Sequence, residues 1–442
     1  MEKLKAKVLD PKYLLPFVLI TSLFFLWGIA NDMTNPLVSA FKKVMPELSN
    51  AQAAFVQLAF YGGYGTMAIP AALFIRRYSY KSGILLGLAL YAIGALLFFP
   101  AAKFELFSFF LASLYILTFG LAFLETTANP FILSLGDPST ATRRLNLAQT
   151  FNPLGSLSGM LIAQLYIITL IKSSDYTTEA YELLPEVEKA AIRTHDLGII
   201  STPYIGLGIF IIVMFVLILL AKIPQKEHHD AISVKDSFKM LFSNKRYYEG
   251  VIAQMFYVGV QIMCWTFIFQ YVDNLNESRA ADAQLTATWF NMAAMISFFI
   301  GRATSTTIMK YVQPARLMFF FAISGMLLIS GTIFIVGVGG LLCLVGTSIT
   351  MSLMFPTIYG IALRDMGDEA KLGSAGLVMA IVGGALMPPL QGKILDIGGG
   401  GFADKLFLGY IPEVNISFIL PFICLGVVAV FSYRSFKIHL KN

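Results

Sequence analysis

The sequence predicts an all-α membrane protein in which twelve transmembrane helices form two pseudo-symmetric six-helix bundles. Hydrophobic residues make up 57% of the 442 residues and charged residues only 13%, whereas an average soluble domain has roughly 25% charged residues. Twelve apolar runs each reach the length of about 20 residues that a hydrocarbon layer of roughly 30 Å requires. Basic residues recur in every second connection, which is the charge pattern of a multi-pass membrane protein.

The predicted spans follow one another closely along the chain. The first is too long for the core of a cleavable signal peptide, so we predict that it is a true span. The ninth and tenth are separated only by a glycine cluster, Gly337, Gly339 and Gly340. The twelve spans lie near residues 14–41, 51–75, 82–102, 105–135, 145–171, 199–221, 247–272, 284–309, 316–337, 338–363, 372–396 and 411–436.

The net charge of +6 does not indicate a protein that binds nucleic acid, because the basic residues are not gathered in one patch. They alternate with the spans, which under the positive-inside rule places both termini in the cytoplasm and requires an even number of spans. The longest connection on the opposite side, near 172–198, is acidic. The basic connections include Lys12, Arg76, Arg77, Arg143, Arg144, Lys310, Arg316, Arg364 and Lys371.

A long charged connection, residues 222–246, divides the chain into an N-terminal bundle at 1–221 and a C-terminal bundle at 247–442. Weak internal repeats support this division. Repeats of this kind predict two halves related by an axis along the membrane normal, with a binding site between them at mid-depth. The matching features are Pro130 with Pro356, Gly136-Asp137 with Gly367-Asp368, and Arg77-Tyr78 with Lys310-Tyr311.

No cofactor or metal is predicted. All three cysteines lie inside predicted spans, where a thiol is usually a small packing residue, and no disulfide framework is readable. His228 and His229 lie beside two acids in the charged connection and could hold a metal. A solvated polar linker is the favoured interpretation of that segment.

Two carboxylates, Asp32 and Glu125, lie deep inside predicted spans. An ionised acid at the centre of a membrane helix costs roughly 2.5–3.5 kcal/mol on insertion scales, so such residues normally face a water-filled path for an ion or substrate. The sequence therefore predicts a transporter, with Asp32 and Glu125 as the residues that couple transport to a proton or another cation.

Polar side chains recur at helical spacing near these acids. Residues three and four apart share one side of a helix, so each set can line a cavity. Carboxylates, amides and an aromatic face suit the hydroxyl groups and the C–H surface of a sugar. Hydrogen bonds between helices are the alternative interpretation, since membrane bundles use Asn and Gln in that way too. The predicted substrate-binding residues are Asp32, Asn35, Trp27, Asn31, Gln149, Asn152, Asn129, Gln261 and Trp265.

Arg302, in the eighth span, is a third charge within a predicted helix. It lies about two turns from the basic end of that span. A role in gating or in a structural pairing near the inner end is favoured over contact with an anionic substrate.

Five sequence segments carry a resemblance to a known family. They are LFFLWGIAND (23–32), LETTANPF (124–131), RLNLAQTFN (144–152), FPTIYGIALRDMG (355–367) and KLGSAGLVMAIVGG (371–384). They resemble the fucose permease family, the fucose:proton symporter branch of the major facilitator superfamily. The resemblance implies the major facilitator fold, alternating access, and cotransport of a monosaccharide with a cation, usually H⁺. It also implies that Glu125 is the protonatable acid of the fourth helix and that Gln149 and Asn152 lie near the sugar.

The chain departs from the family pattern in the first helix. The family usually has an aspartate where this sequence has Asn35, and often an asparagine where this sequence has Asp32. The two positions are one turn apart on one face, so we predict that Asp32 takes the role of the missing acid. A second departure is Phe355, where a tyrosine is familiar.

The resulting prediction is a cation-coupled monosaccharide symporter for L-fucose or a related hexose. It would lie in a bacterial cytoplasmic membrane and function as a monomer. A sodium-coupled glucose or galactose transporter and a proton-coupled drug or metabolite antiporter of the same fold stay open as alternatives. An enzyme is not predicted, because no histidine lies in any span and no H-E-x-x-H motif is present.

Overall fold

The structure is a computed structural model, and it describes residues 7–34, 37–48, 50–176, 180–181, 183–223, 233–395 and 406–439. These residues form helices, and the only β-type pairing among them is an isolated bridge between Phe407 and Ile411. Eleven helices in the described ranges are long and apolar enough to cross a membrane. A further long helix, Ala287–Ile308, lies between the seventh and the next of them.

The twelve long helices are numbered here in chain order. They are α1 Pro11–Thr34, α2 Phe55–Arg77, α3 Tyr80–Phe104, α4 Phe107–Ser134, α5 Pro138–Ile168, α6 Glu186–Leu220, α7 Lys245–Glu277, α8 Ala287–Ile308, α9 Pro314–Phe334, α10 Val338–Ala362, α11 Gly367–Leu395 and α12 Glu413–Lys437. Each of the twelve predicted spans overlaps one of these helices, so the predicted fold class is confirmed.

One predicted boundary is wrong. The sixth span was expected to begin at 199, but α6 begins at Glu186. Its first turns are rich in charged residues, which do not resemble a membrane span although they are helical. The first span was expected to continue to residue 41; helix is present to Thr34 and again over Leu37–Val44, and residues 35–36 between them lie outside the described residues.

The chain forms two compact units. The first unit contains Leu14–Phe131 and Leu154–Asp230, and the second contains Met1–Tyr13, Ile132–Pro153 and Ala231–Asn442. Helix α5 is therefore shared, with its early turns in the second unit and its later turns in the first. The predicted division of the chain at 222–246 stays a prediction. Residues 224–232, which include His228 and His229, lie outside the described residues.

Helix α5 is interrupted along its length. An α-helix spans Ala141–Gln149, another spans Phe151–Ile162, and a π-helical turn spans Ala163–Ile168. Proline removes a backbone donor, so Pro153 near the first interruption weakens the regular helical ladder there. Breaks of this kind are tolerated in a membrane helix because neighbouring helices supply partners for the freed backbone groups.

In the first unit, α5 lies against α1 at backbone contact. Gly155 and Gly159 are four residues apart on one face of α5, and a Cβ atom at either would collide with backbone atoms of α1 at Phe25 or Ile29. Small residues at this spacing allow two membrane helices to approach closely. This contact fixes the position of the helix that carries Asp32.

In the second unit, the first part of α5 packs on α10. The Cβ of an alanine at Gly360 would lie 2.7 Å from the Thr142 Oγ1 atom. The Asn146 amide donates to the Thr357 hydroxyl at 3.1 Å and to the Thr142 carbonyl at 3.0 Å. These contacts hold residues 141–149 against the end of α10.

Arg144 caps the last turn of α4 in the second unit. Its buried guanidinium donates to the carbonyl oxygens of Ile132 and Leu133, both at 2.8 Å, and to that of Val8 at 3.0 Å. Because the last carbonyls of a helix have no partner within it, a basic side chain there satisfies them. Beside it, hydrogen bonds from the Ser139 hydroxyl and backbone N–H lower the pKa of Asp137.

Candidate functional site

The first unit buries both predicted coupling acids. Glu125 on α4 is 2% exposed and Asp32 on α1 is 5% exposed. The Oε2 atom of Glu125 is buried and has no hydrogen-bond partner within the described part of the chain. A buried carboxylate without donors or a paired cation is strongly disfavoured in its charged form. Glu125 is therefore placed where binding of a proton would relieve that cost.

Two tyrosines on α2 accompany the acids. Tyr61 and Tyr64 are one turn apart and both are buried. The Tyr61 hydroxyl lies within electrostatic range of Asp32, and the Tyr64 hydroxyl lies within electrostatic range of Glu125. A tyrosine hydroxyl can both donate and accept a hydrogen bond, so each acid has a phenol in its surroundings.

Trp27 links the predicted sugar-binding face of α1 to this pair. Its indole Nε1–H donates to the Tyr64 hydroxyl at 2.8 Å, and Phe24 stacks on its ring with centroids 5.8 Å apart. Trp27 is itself 8% exposed. The indole is thus held in place by an aromatic neighbour and a specific hydrogen bond.

The other predicted residues of the first unit differ in their surroundings. Asn31 is half-buried. Asn129 is fully buried, and its amide donates to the Glu125 backbone carbonyl at 3.0 Å, one turn earlier in the same helix. Asn35 lies outside the described residues. The structure therefore brings Trp27, Asp32 and Glu125 into one unit with the two tyrosines.

Arg302 lies in the second unit and is 2% exposed. Its guanidinium donates to the carbonyl oxygen of Ser352 at 2.5 Å and to that of Gln149 at 2.9 Å. The Phe298 ring lies 4.5 Å from the guanidinium carbon, and Tyr257 is an electrostatic neighbour. No ion pair to Arg302 is present among the described residues, so main-chain carbonyls and a ring face stabilise this charge.

Trp265 is the aromatic candidate of the second unit. Its indole N–H donates to the Ser348 hydroxyl at 3.2 Å, and its ring meets Phe298 edge to face with centroids 5.1 Å apart. The Asn291 amide donates to the Trp265 carbonyl at 2.9 Å. Because Phe298 also lies under Arg302, one phenylalanine connects these two predicted residues.

The amides predicted on α5 and α7 fall in different environments. Gln149 is 4% exposed, and its backbone carbonyl holds Arg302. Asn152 and Gln261 are half-buried. Asn146, which shares the three-residue spacing of Gln149 and Asn152, is instead used in the contact with α10. The three-residue spacing on α5 therefore includes at least one amide, Asn146, that is used in helix packing.

Phe298 and Asn291 each contact a predicted residue directly, as described above, and neither was predicted from the sequence. Phe298 is one of 38 phenylalanines and carried no signal. For Tyr64, as for Tyr61 and Tyr257, the sequence leaves two interpretations open, contact with the cavity or packing between helices. Gln254, which shares the helical spacing of Gln261 and Trp265, is fully buried, and neither atom of its amide has a hydrogen-bond partner among the described residues.

An apolar cavity of about 460 Å³ also lies in the first unit, between α1, α5 and α6. Its walls are almost entirely apolar and include neither acid. A sugar needs convergent hydrogen-bonding groups, so this cavity does not suit one. Its lining includes Phe25, Ile29, Met33, Ile162, Tyr166 and Phe210.

Charged side chains buried in interrupted membrane helices are typical of secondary transporters. The chain belongs to the Major Facilitator Superfamily, whose family model matches residues 17–388, and within it to the fucose:proton symporter branch. The family is one of transporters and not of enzymes.

Three relatives illustrate the similarity. The chain is 57% identical to the L-fucose-proton symporter of Haemophilus influenzae over 98% of this chain and 100% of that protein. It is 30% identical to a glucose/galactose transporter of Brucella abortus over 93% of this chain and 91% of that protein. A solved structure of the transporter FucP in the outward conformation matches with a TM-score of 0.83 and 32% identity, over 96% of this chain and 99% of that one.

Proposed function

We propose that this protein is a proton-coupled symporter of L-fucose that works by alternating access. The observation that supports this most is the buried Glu125 carboxyl, whose Oε2 has no hydrogen-bond donor among the described residues. The 57% identity to a symporter named for L-fucose and protons supports the choice of sugar and ion. The protein would reside in a bacterial cytoplasmic membrane as a functional monomer with both termini inside.

Coupling follows from the cost of desolvating Glu125. From the outside, a proton binds to the Glu125 carboxylate and produces a neutral acid. The neutral acid can be enclosed together with the sugar, whereas a charged acid without a partner resists enclosure. After the carrier opens inward, the proton leaves to the cytoplasm and the sugar follows. One proton thus crosses for each sugar.

The candidate sugar ligands are assigned separately in the two units. In the first unit, Asp32 and Asn31 offer polar groups and Trp27 offers a ring face. In the second unit, Gln149, Asn152, Gln261 and Trp265 are the candidates. Asn129 is the weakest of the proposed ligands, because its amide already donates to its own helix.

Arg302 is proposed as a gating residue. It connects the carbonyl of Gln149 on α5 to the carbonyl of Ser352 on α10. Breaking two hydrogen bonds from a charged group costs roughly 1.5–3 kcal/mol for each bond. We propose that movement of the first part of α5 away from α8 and α10 requires this separation and accompanies opening of the carrier to the inside.

Transport in proteoliposomes tests the proposal. Purified protein is reconstituted, and uptake of radiolabelled L-fucose, D-glucose and D-galactose is measured with an imposed pH gradient, with a Na⁺ gradient, and with neither. We expect L-fucose to accumulate only with the inward proton gradient. Uptake driven by Na⁺, or no accumulation of any sugar under a pH gradient, would contradict the proposal.

A glucose or galactose transporter is the second candidate. The exchange of acid and amide between Asp32 and Asn35 rearranges the groups offered to sugar hydroxyls, and the Brucella relative is named for glucose and galactose. Preference for D-glucose or D-galactose in the same assay would establish it. Release of a preloaded substrate in exchange for protons would instead indicate an antiporter.

A further inference from the structure

We infer that Tyr64 is a positioning residue for proton coupling: its hydroxyl, oriented by Trp27, is the hydrogen-bond donor for ionised Glu125. The inference rests on the proposed function and deepens it. It gives the coupling acid a specific partner within the first unit, and it connects that acid to the aromatic candidate for sugar binding.

The hydrogen bond from Trp27 defines what the Tyr64 hydroxyl can do. An indole N–H is only a donor, so at this contact the Tyr64 oxygen must accept. The bond is 2.8 Å long and buried. The phenolic proton therefore points elsewhere and needs an acceptor, because an unsatisfied buried polar group is costly.

Glu125 is the complementary group. Its Oε2 is buried with no donor, and Glu125 is the largest electrostatic influence that another side chain exerts on Tyr64. The two side chains are not hydrogen-bonded in the described structure. A side-chain rotation that brought the two groups together would join a donor that lacks an acceptor to an acceptor that lacks a donor.

The neighbouring groups do not offer Glu125 an equivalent donor. Tyr91 is close to Tyr64, but its hydroxyl donates to the Leu26 carbonyl at 2.9 Å. Tyr61 lies beside Asp32. In the described residues, no Lys or Arg forms an ion pair with Glu125. Tyr64 is thus the donor that the packing of α1, α2, α3 and α4 leaves for Glu125.

This arrangement gives a route by which sugar and proton binding affect one another. A donor bond stabilises the ionised carboxylate and not the neutral acid. A sugar that shifts the Trp27 ring would release the Tyr64 hydroxyl from its orientation and so make proton uptake by Glu125 easier. Coupling of this kind is reciprocal, so protonation would strengthen sugar binding equally.

The test is the pH dependence of proton-driven L-fucose uptake by Tyr64→Phe. The substitution retains the ring and removes the hydroxyl. Without the donor, Glu125 holds its proton more tightly, so the fall in uptake at alkaline pH moves upward. We expect the midpoint of that fall to rise by about one pH unit, which equals about 1.4 kcal/mol.

Two controls separate this effect from loss of structure. Tyr115→Phe makes the same chemical change on α4, where the hydroxyl bonds to Thr66 at 3.0 Å, and should leave the midpoint unchanged. In a Glu125→Gln background, adding Tyr64→Phe should produce no further change in the pH dependence of sugar exchange. If Tyr64→Phe does not fold, Trp27→Phe should move the midpoint upward by a smaller amount.

An unchanged midpoint in folded Tyr64→Phe would overturn the inference, as would the same shift in Tyr115→Phe. Trp27→Phe without any shift would overturn it in the case where Tyr64→Phe does not fold. Failure of the proposed function is distinguishable, because the unsubstituted protein would then show no proton-driven uptake at all. If it transports another sugar with protons, the same experiment applies to that sugar.

Discussion

The acidic region of the first unit and the Arg302 region of the second both bury a charged side chain in a membrane helix, yet they treat it differently. Arg302 has two carbonyl acceptors and a ring face around its guanidinium. The Glu125 Oε2 has no donor among the described residues. The first arrangement suits a permanent charge that holds helices together. The second suits a charge that is removed and restored during each cycle.

The largest effect is expected in the acidic region of the first unit, where a substitution removes the coupling carboxyl of Glu125. Glu125→Gln resembles the protonated acid and cannot release a proton. We expect L-fucose exchange within about threefold of the unsubstituted rate and complete loss of accumulation, because one proton site is absent. In proteoliposomes, exchange of labelled L-fucose measures the retained transport, and uphill uptake under a pH gradient measures the lost accumulation. Glu188→Gln, at an exposed position of α6, is the matched control, and full uphill uptake by Glu125→Gln would refute the assignment.

Removal of the Arg302 guanidinium tests the buried charge of the second unit. Arg302→Ala leaves the carbonyls of Gln149 and Ser352 without their donor, and we expect uptake to slow at least about tenfold, which corresponds to about 1.4 kcal/mol. The pH midpoint of the remaining uptake should not move, because Arg302 is not the coupling group. Arg316→Ala, an exposed site, serves as the control. A moved midpoint would mean that the two regions share one role.

A smaller effect is expected at the second acid. Asp32→Asn should weaken L-fucose binding about tenfold, as loss of a charged hydrogen-bonding group costs roughly 1.5–3 kcal/mol. Calorimetric titration measures this affinity, with Asp273→Asn at an exposed position of α7 as the control. Unaltered affinity would remove Asp32 from the sugar site and leave only the coupling role that the sequence predicts for it.

The smallest effect concerns how rigidly the acidic region is held. Gly155→Ala would force α5 away from α1 at Phe25, and overpacking of this kind costs roughly 1–3 kcal/mol. We expect a lower apparent melting temperature in detergent. Gly198→Ala is the matched control, since nothing lies within 4 Å of a Cβ atom there. Equal stability of the two variants would show that the α1–α5 contact can relax.

The sequence predicted the twelve helices because length and hydropathy alone determine whether a segment can span a bilayer. It was wrong at the start of the sixth span, because α6 begins with charged turns at Glu186. The charged first turns of α6 are helical without being apolar, and hydropathy does not detect such turns.

The candidate site was predictable residue by residue but not contact by contact. Asp32 and Glu125 were evident because an acid is costly inside an apolar run. The bond from Trp27 to Tyr64 joins positions 37 residues apart and depends on the packing of α1 on α2. Asn146 shows the limit of periodicity, since spacing places a residue on a face but does not say whether water or another helix lies there.

Sugar-evoked proton movement tests the central claim most directly. Proteoliposomes are suspended in weakly buffered medium without a pH gradient, L-fucose is added outside, and the external pH is recorded. The account predicts alkalinisation of the medium by the unsubstituted protein and by Glu188→Gln, and none by Glu125→Gln although it still exchanges labelled sugar. Alkalinisation by Glu125→Gln at the unsubstituted rate would contradict the claim that this carboxyl carries the proton.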